Sequence, residues 1–132
     1  MTKSTRQKQT ELLQLAQLKF QSDQMGMAAL ARQETALKRH LKDLNQSEKH
    51  LCKTTSSDAV LQRANAILPW QNWVAQRRDQ MNIELAQVMA QKEFARAAMR
   101  QSFGQVEAAK SLLAQALRTE QQTVKRQTYH RS

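Results

Sequence analysis

Apolar residues in the first fifty positions recur at alternating intervals of three and four. One row repeats every seven residues and consists of Leu30, Leu37, Leu44 and Leu51. A second row, offset from the first, contains Leu13, Phe20, Met27 and Leu41. This spacing is typical of a coiled-coil seam and predicts a first helix from about Thr5 or Thr10 to about Leu51.

Three acidic residues interrupt this seam, namely Asp23, Glu34 and Glu48. Charged seam positions weaken an obligate homodimeric zipper. They favour a heteromeric or an antiparallel partner helix instead.

The second half of the chain carries its own heptad rows. One row contains Val60, Ile67, Val74, Met81 and Val88, and the adjacent row contains Leu85, Met99, Val106 and Leu113. Beyond residue 95 the first row continues only as Ala95, Ser102 and Ala109. We expect Phe103, Leu117 and Val124 to take its place, because a straight helix drifts relative to a strict heptad.

A polar segment separates the two periodic halves. Residues 52–58, with the sequence Cys-Lys-Thr-Thr-Ser-Ser-Asp, form the predicted turn, and Ser56, Ser57 or Asp58 can cap the next helix. Residues 125–132 are predicted to form a frayed basic tail.

Pro69 leaves two arrangements open, because proline removes a backbone donor and clashes with the preceding turn. In one, a kinked continuous helix leaves Val106, Leu113 and Leu117 uncovered in an overhang. In the other, which we favour, residues 58–68 form a short capping helix and residues 70–124 form the second arm. That arrangement places Phe103, Val106 and Leu113 opposite residues 12–18.

Composition supports an all-α fold. The chain of 132 residues has two glycines and one proline, too few to connect the strands of a sheet. We predict a single domain, residues 1–132, folded as an elongated antiparallel two-helix coiled-coil hairpin.

The chain is strongly basic, which bears on the kind of partner it binds. Lys and Arg number 21 and Asp and Glu number 11, a net charge of +10. In an antiparallel hairpin the basic clusters at the two ends come together, and such a pole attracts an acidic partner. The sequence argues against nucleic acid as that partner, because the aromatic platforms of single-strand binders are missing and the basic residues are spread over both arms.

Both tryptophans flank the proline, at Trp70 and Trp73. They either staple the tip of the hairpin against Leu51 and Ile67 or anchor a partner, a role in which tryptophan is enriched. The methionines are expected mostly on the apolar seam, among them Met25, Met27, Met81, Met89 and Met99. The candidate partner-binding residues are Lys3, Arg6, Lys8, Trp70, Trp73, Arg77, Arg78, Arg118, Lys125 and Arg126.

Catalytic and metal-binding patterns are not found in the sequence. The two glycines cannot form a phosphate-binding loop, and His50 with Cys52 lacks a second pair of zinc ligands. We therefore expect no enzyme activity, no cofactor and no metal. The chain lacks both a spanning apolar stretch and a secretory signal, which predicts a cytoplasmic protein, at most peripheral to the inner membrane.

Two segments resemble the flagellar export protein FliJ and the stalk proteins of related type III secretion systems. They are Glu-Leu-Leu-Gln-Leu-Ala-Gln-Leu-Lys at 11–19 and Trp-Val-Ala-Gln-Arg-Arg-Asp-Gln-Met-Asn-Ile-Glu-Leu-Ala at 73–86, continuing through Phe103. The resemblance implies an antiparallel coiled coil whose ends enter the ring of an export ATPase while another surface contacts the export gate or chaperones. The segment around Pro69 departs from that pattern.

Two hypotheses follow. The first is a non-enzymatic export component that acts as a monomer and promotes assembly of the ATPase ring. The alternative is a general coiled-coil adaptor or scaffold that binds nucleic acid or anionic lipid through its basic clusters.

Overall fold

The computed structural model is an all-α hairpin of two helices. Helix α1 spans Thr5–Thr54 and helix α2 spans Val60–Arg131. The structure describes the backbone of residues 4–54 and 60–131 and the side chains of residues 4–51 and 67–131. The predicted all-α hairpin is confirmed.

The start of α1 is fixed by a reciprocal cap. The Ser4 hydroxyl accepts a hydrogen bond from the Gln7 backbone N–H, and the Gln7 side-chain oxygen accepts one from the Ser4 N–H, both at 3.3 Å. This Ser-x-x-Gln arrangement satisfies two donors that a helix start would otherwise leave free. The helix therefore begins at Thr5, the earlier of the two predicted starts.

The chain divides into two compact units of equal length. The terminal unit consists of Met1–Met27 and Phe94–Ser132, and the central unit consists of Ala28–Glu93. Each unit pairs a segment of α1 with a segment of α2. The unit boundary falls inside both helices and does not coincide with a break in either.

The helices run antiparallel in the central unit, as two ion pairs demonstrate. The Glu34 carboxylate contacts the Lys92 ammonium at 2.7 Å, and Glu48 pairs with Arg78. A step of fourteen residues forward along α1, from Glu34 to Glu48, thus matches a step of fourteen residues backward along α2, from Lys92 to Arg78. This register brings seam acids of α1 onto basic residues of α2.

The predicted seam of α1 is confirmed. All eight apolar residues of its two rows are half-buried, and the acidic residues Asp23, Glu34 and Glu48 are half-buried among them. Asp23 differs from the other two acids, since its Oδ2 atom is buried without a hydrogen-bond partner. The antiparallel partner expected from the charged seam positions is therefore α2 of the same chain.

The seam of α2 corrects the predicted drift. Ser102 and Ala109 are buried, with relative exposures of 0% and 2%, whereas Phe103 and Val124 are 52% and 56% exposed. Of the three residues expected to replace the row, only Leu117 is half-buried. The heptad continues through the small residues because supercoiling keeps the same row facing the partner helix. The Ser102 hydroxyl is satisfied locally, since it donates to the Met99 carbonyl at 3.1 Å.

Pro69 lies inside α2, which continues through it. The separate capping helix over 58–68 and an arm beginning at residue 70 were therefore the wrong choice. The expected covering of the distal seam nevertheless holds, because Val106 is buried and Leu113 is half-buried. Phe103 lies beside Phe20, with ring centroids 5.7 Å apart, just beyond the predicted range of 12–18.

The ends of the helices also differ from the prediction. Residues 52–54 belong to α1, and the remainder of the predicted turn up to Asp58 lies outside the described residues. Residues 125–131 continue α2 as an exposed helix. Strong helix formers such as Lys, Arg and Gln in this stretch favour that continuation.

Candidate functional surfaces

The basic candidates at the two ends of the chain belong to one unit. Those that the structure describes in the terminal unit, Arg6, Lys8, Arg118, Lys125 and Arg126, are all exposed. Lys3 lies outside the described residues. The expected meeting of basic residues from both ends is thus found for Arg6 and Lys125, which line one groove.

The charge of the chain is concentrated in this unit. The terminal unit has 11 Lys and Arg against 4 Asp and Glu, whereas the central unit has 10 against 7. The formal net charges are therefore +7 and +3. Because the two units are equal in length, the terminal unit is the stronger attractor for an acidic surface.

Two grooves of the terminal unit share Arg6, Glu120 and Val124. The larger has a volume of about 570 Å³ and lies between the first turns of α1 and residues 112–124 of α2. The smaller, of about 350 Å³, adds Leu117 and Lys125. Both combine an apolar wall with the Arg6 guanidinium and the Glu120 carboxylate, and only the smaller adds a second cation, Lys125. The smaller groove therefore suits an acidic partner segment that also carries an apolar residue.

The two arginines predicted to bind a partner in the central unit differ from each other. Arg78 is half-buried and forms an ion pair with Glu48 across the seam, so its charge is already engaged. Its Nε atom is buried without a hydrogen-bond partner. Arg77 is exposed and lines a groove of this unit. Arg77 is therefore the one of the pair that is available to an outside partner.

The two tryptophans are not equally covered. Trp70 is half-buried, whereas Trp73 is 56% exposed. Leu51 and Ile67, the expected partners of a staple, are themselves only half-buried. The exposure of Trp73 favours the partner-anchor interpretation for this residue, which stays a prediction.

Glu34 is held by two lysines. Lys92 lies 2.7 Å away across the seam and Lys38 lies 2.9 Å away on the next turn of α1. The hydrogen bonds from Lys92 and then Lys38 lower the pKa of Glu34 from 4.5 to about 2. The sequence indicated the Glu34–Lys38 pair through its spacing of four. Lys92 was missed, because its pairing depends on the register between the helices.

An exposed apolar row on α1 was also missed. Leu15, Leu18 and Met25 are all largely exposed, and their intervals of three and seven place them on one face, away from the seam. Met27, Met81 and Met99 lie on the seam as expected, whereas Met25 and Met89 do not. Their spacing of three and seven could have been found in the sequence as a further apolar row, separate from the two rows of the seam.

Within the described ranges, no three His, Cys, Asp or Glu residues gather closely enough to hold a metal ion. No described helix combines the length and the apolar character needed to cross a membrane.

Comparison of this chain with protein-family models, with curated proteins and with solved structures finds no match.

Proposed function

We propose that this protein is a non-enzymatic stalk of a flagellar or type III export apparatus that binds the export ATPase and promotes assembly of its ring. The observation that carries the proposal is the concentration of basic side chains from both ends of the chain in the terminal unit. Their exposure leaves them available to an acidic surface. The resemblance of residues 11–19 and 73–86 to export stalk proteins supplies the identity of the partner.

A stalk of this kind needs a seam that is filled within a single chain. In the central unit, the seam acids Glu34 and Glu48 pair with Lys92 and Arg78 of the same chain. In the terminal unit, Val106 and Ala109 are buried by the pairing of the two helices. A second chain is therefore not required to complete the coiled coil, which supports the proposed action of a single hairpin at the centre of a ring.

The mechanism is mass action. A stalk that binds the assembled hexamer but not the separated subunits shifts the equilibrium toward the hexamer. The basic residues accelerate the encounter with an acidic lumen, and this contribution weakens as salt is added. The grooves around Arg6 provide apolar contact once the stalk is seated. A different surface would contact the export gate or chaperones.

The test combines the protein with the cognate export ATPase and measures hexamer content by light scattering, together with the rate of hydrolysis. The informative variant is Arg6→Glu with Lys125→Glu, which reverses two exposed charges at the smaller terminal groove. The matched control, Arg39→Glu with Lys42→Glu, makes the same charge change at exposed positions of the central unit.

We expect the wild type and the control to raise both hexamer content and hydrolysis, and the groove variant to lose most of the effect. No change in either quantity with the wild type, together with no capture of export-gate components, would reject the proposal. If the protein instead binds DNA, RNA or anionic vesicles with a steep salt dependence, the adaptor hypothesis replaces it.

A further inference from the structure

A groove of about 470 Å³ lies between α1 and α2 in the central unit. Its apolar lining comes from the seam residues Leu37, Met81 and Val88. On α2 its rim is formed by polar and charged side chains that include Arg77 and Glu84. We refer to it as the central groove. The proposed stalk function does not use it.

The exposed tryptophan lies on the same flank of α2 as this rim. Arg77, Glu84, Gln87 and Gln91 line the groove. At the same spacing of three and four, Gln80 lies between Arg77 and Glu84. Trp73 and Trp70 precede Arg77 on the same flank. One flank of α2 therefore carries two tryptophans, then an arginine, and then the rim of an apolar groove. More than half of the Trp73 surface, 56%, is exposed.

The two charges on this flank are opposite in sign and unused. Within the described part of the chain, neither Arg77 nor Glu84 forms an ion pair, and both are exposed. They are seven residues apart on one row, too far for the contact at intervals of three or four that stabilises charge pairs within a helix. Both charges are therefore available to pair with a second molecule.

We propose that the central groove is the interface of a homodimer in which the α2 flanks of two copies pack antiparallel. A two-fold axis that passes between Gln80 and Met81 makes Arg77 and Glu84 equidistant from it. Arg77 of one copy then faces Glu84 of the partner subunit, and the pair is formed twice. The same axis places Trp73 opposite Val88 of the partner subunit, at the groove.

This self-complementarity is what identifies a second copy as the occupant. A two-fold interface requires one patch to contain both members of each contact. Here the patch contains both charges of the salt bridge, as well as both the aromatic anchor and the apolar groove that receives it. A partner of another sequence would need an acidic and a basic residue at the matching spacing, a coincidence that the second copy does not require.

This dimer differs from a homodimeric zipper, in which the seams of two chains pair with each other and which the acidic seam positions disfavour. Each copy keeps its own Glu34–Lys92 and Glu48–Arg78 pairs, because the interface forms on the outside of the folded hairpin, at the α2 flank and the central groove, and no helix is exchanged between copies. The predicted monomer accordingly describes the folded unit and the dilute protein. At higher concentration, the flanks of two folded hairpins associate.

Sedimentation velocity over protein concentrations from about 5 to about 500 µM tests the interface, since it detects dissociation constants up to the high micromolar range. We expect the wild type to shift from monomer to dimer within this range. Arg77→Glu alone and Glu84→Arg alone each place like charges opposite each other and should weaken the dimer at least about tenfold. The double variant, with Arg77→Glu and Glu84→Arg, restores opposite charges and should return to within about threefold of the wild type.

Two controls separate the interface from general effects. Arg39→Glu reverses an exposed charge elsewhere on the central unit and should leave the dimer unchanged. Trp73→Ala should weaken the dimer at least about tenfold, whereas Met89→Ala, at an exposed residue outside the flank row, should not. Circular dichroism establishes that each variant is as helical as the wild type.

Three results would overturn the proposal. One is a wild-type chain that stays monomeric at the highest concentration. Another is a charge-swapped double variant that remains as weak as the single variants. The third is a Trp73→Ala variant that dimerises as well as the Met89→Ala variant. Failure of the ATPase experiment would not affect any of these readouts.

Discussion

Replacing Val106 with alanine tests the path of the seam through the terminal unit. Val106 is 6% exposed, and Val124, on the same helix and in the same unit, is 56% exposed. Val106→Ala and Val124→Ala remove the same two methyl groups from opposite environments. The second variant is therefore a matched control for helix propensity and side-chain chemistry.

The expected losses in the free energy of unfolding follow from the exposed fractions of the two valine side chains. Two fully buried methyl groups contribute about 1.6 kcal/mol to the free energy of unfolding, so the burial of Val106 accounts for about 1.5 kcal/mol and that of Val124 for about 0.7 kcal/mol. At both positions alanine stabilises the helix by about 0.5 kcal/mol relative to valine, because it is the better helix former. A residual cavity adds to the cost at Val106 only. The net losses are about 1 to 2 kcal/mol for Val106→Ala and about 0.2 kcal/mol for Val124→Ala.

Thermal unfolding followed by far-UV circular dichroism checks the difference. For a chain of this size, about 1 kcal/mol corresponds to about 3 to 5 °C in Tm. We expect Val106→Ala to lower Tm by about 3 to 10 °C and Val124→Ala to lower it by about 1 °C or less. If the seam drifted to the row of Phe103 and Val124, Val124→Ala would cost as much as Val106→Ala. That result would refute the register described above.

Three further predictions concern charge and the backbone. The pKa of Glu34 is lowered to about 2, so the stabilisation from its pairing with the two lysines is present above about pH 4.5 and is lost as the pH falls through 2. Lys92→Gln should raise the pKa of Glu34, which NMR titration of the Glu34 carboxyl measures. Gly26→Ala and Gly104→Ala should each raise the free energy of unfolding by about 0.5 to 1 kcal/mol in urea titrations, because a Cβ at either position meets nothing within 4 Å; a loss of stability would contradict the open surroundings. Pro69→Ala should raise the free energy of unfolding by up to about 3 kcal/mol in urea titrations, since it restores a backbone donor inside the helix; an unchanged or lower free energy of unfolding would contradict a helix that continues through this residue.

Much of the secondary structure was predictable because its signals are local. The half-buried row from Leu13 to Leu51 follows from spacing along one helix, and so do the positions of Asp23, Glu34 and Glu48 within it. The fate of Ala95, Ser102 and Ala109 was not predictable in the same way. In the sequence these small residues resemble the end of the apolar row, although the partner helix buries Ser102 and Ala109 almost completely and Ala95 in part.

The sequence predicted which types of residue form the candidate site, but not which individual side chains are exposed. Arg77 and Arg78 are neighbours with identical side chains, yet Arg78 is engaged by Glu48 and Arg77 is exposed. Trp70 and Trp73 likewise differ in exposure. Which member of each pair faces outward depends on where α1 packs, and no spacing within α2 contains that information.

The sequence by itself determined the all-α fold, the heptad rows of both helices and a seam whose acidic positions favour a heteromeric or an antiparallel partner over a homodimeric zipper. These properties depend on helix propensity and on contacts three or four residues apart. Only the tertiary structure decided the register that joins Glu48 to Arg78 and Glu34 to Lys92, partners 30 and 58 residues apart. Such a register is chosen by the sum of contacts between two helices, so each helix read alone leaves it open.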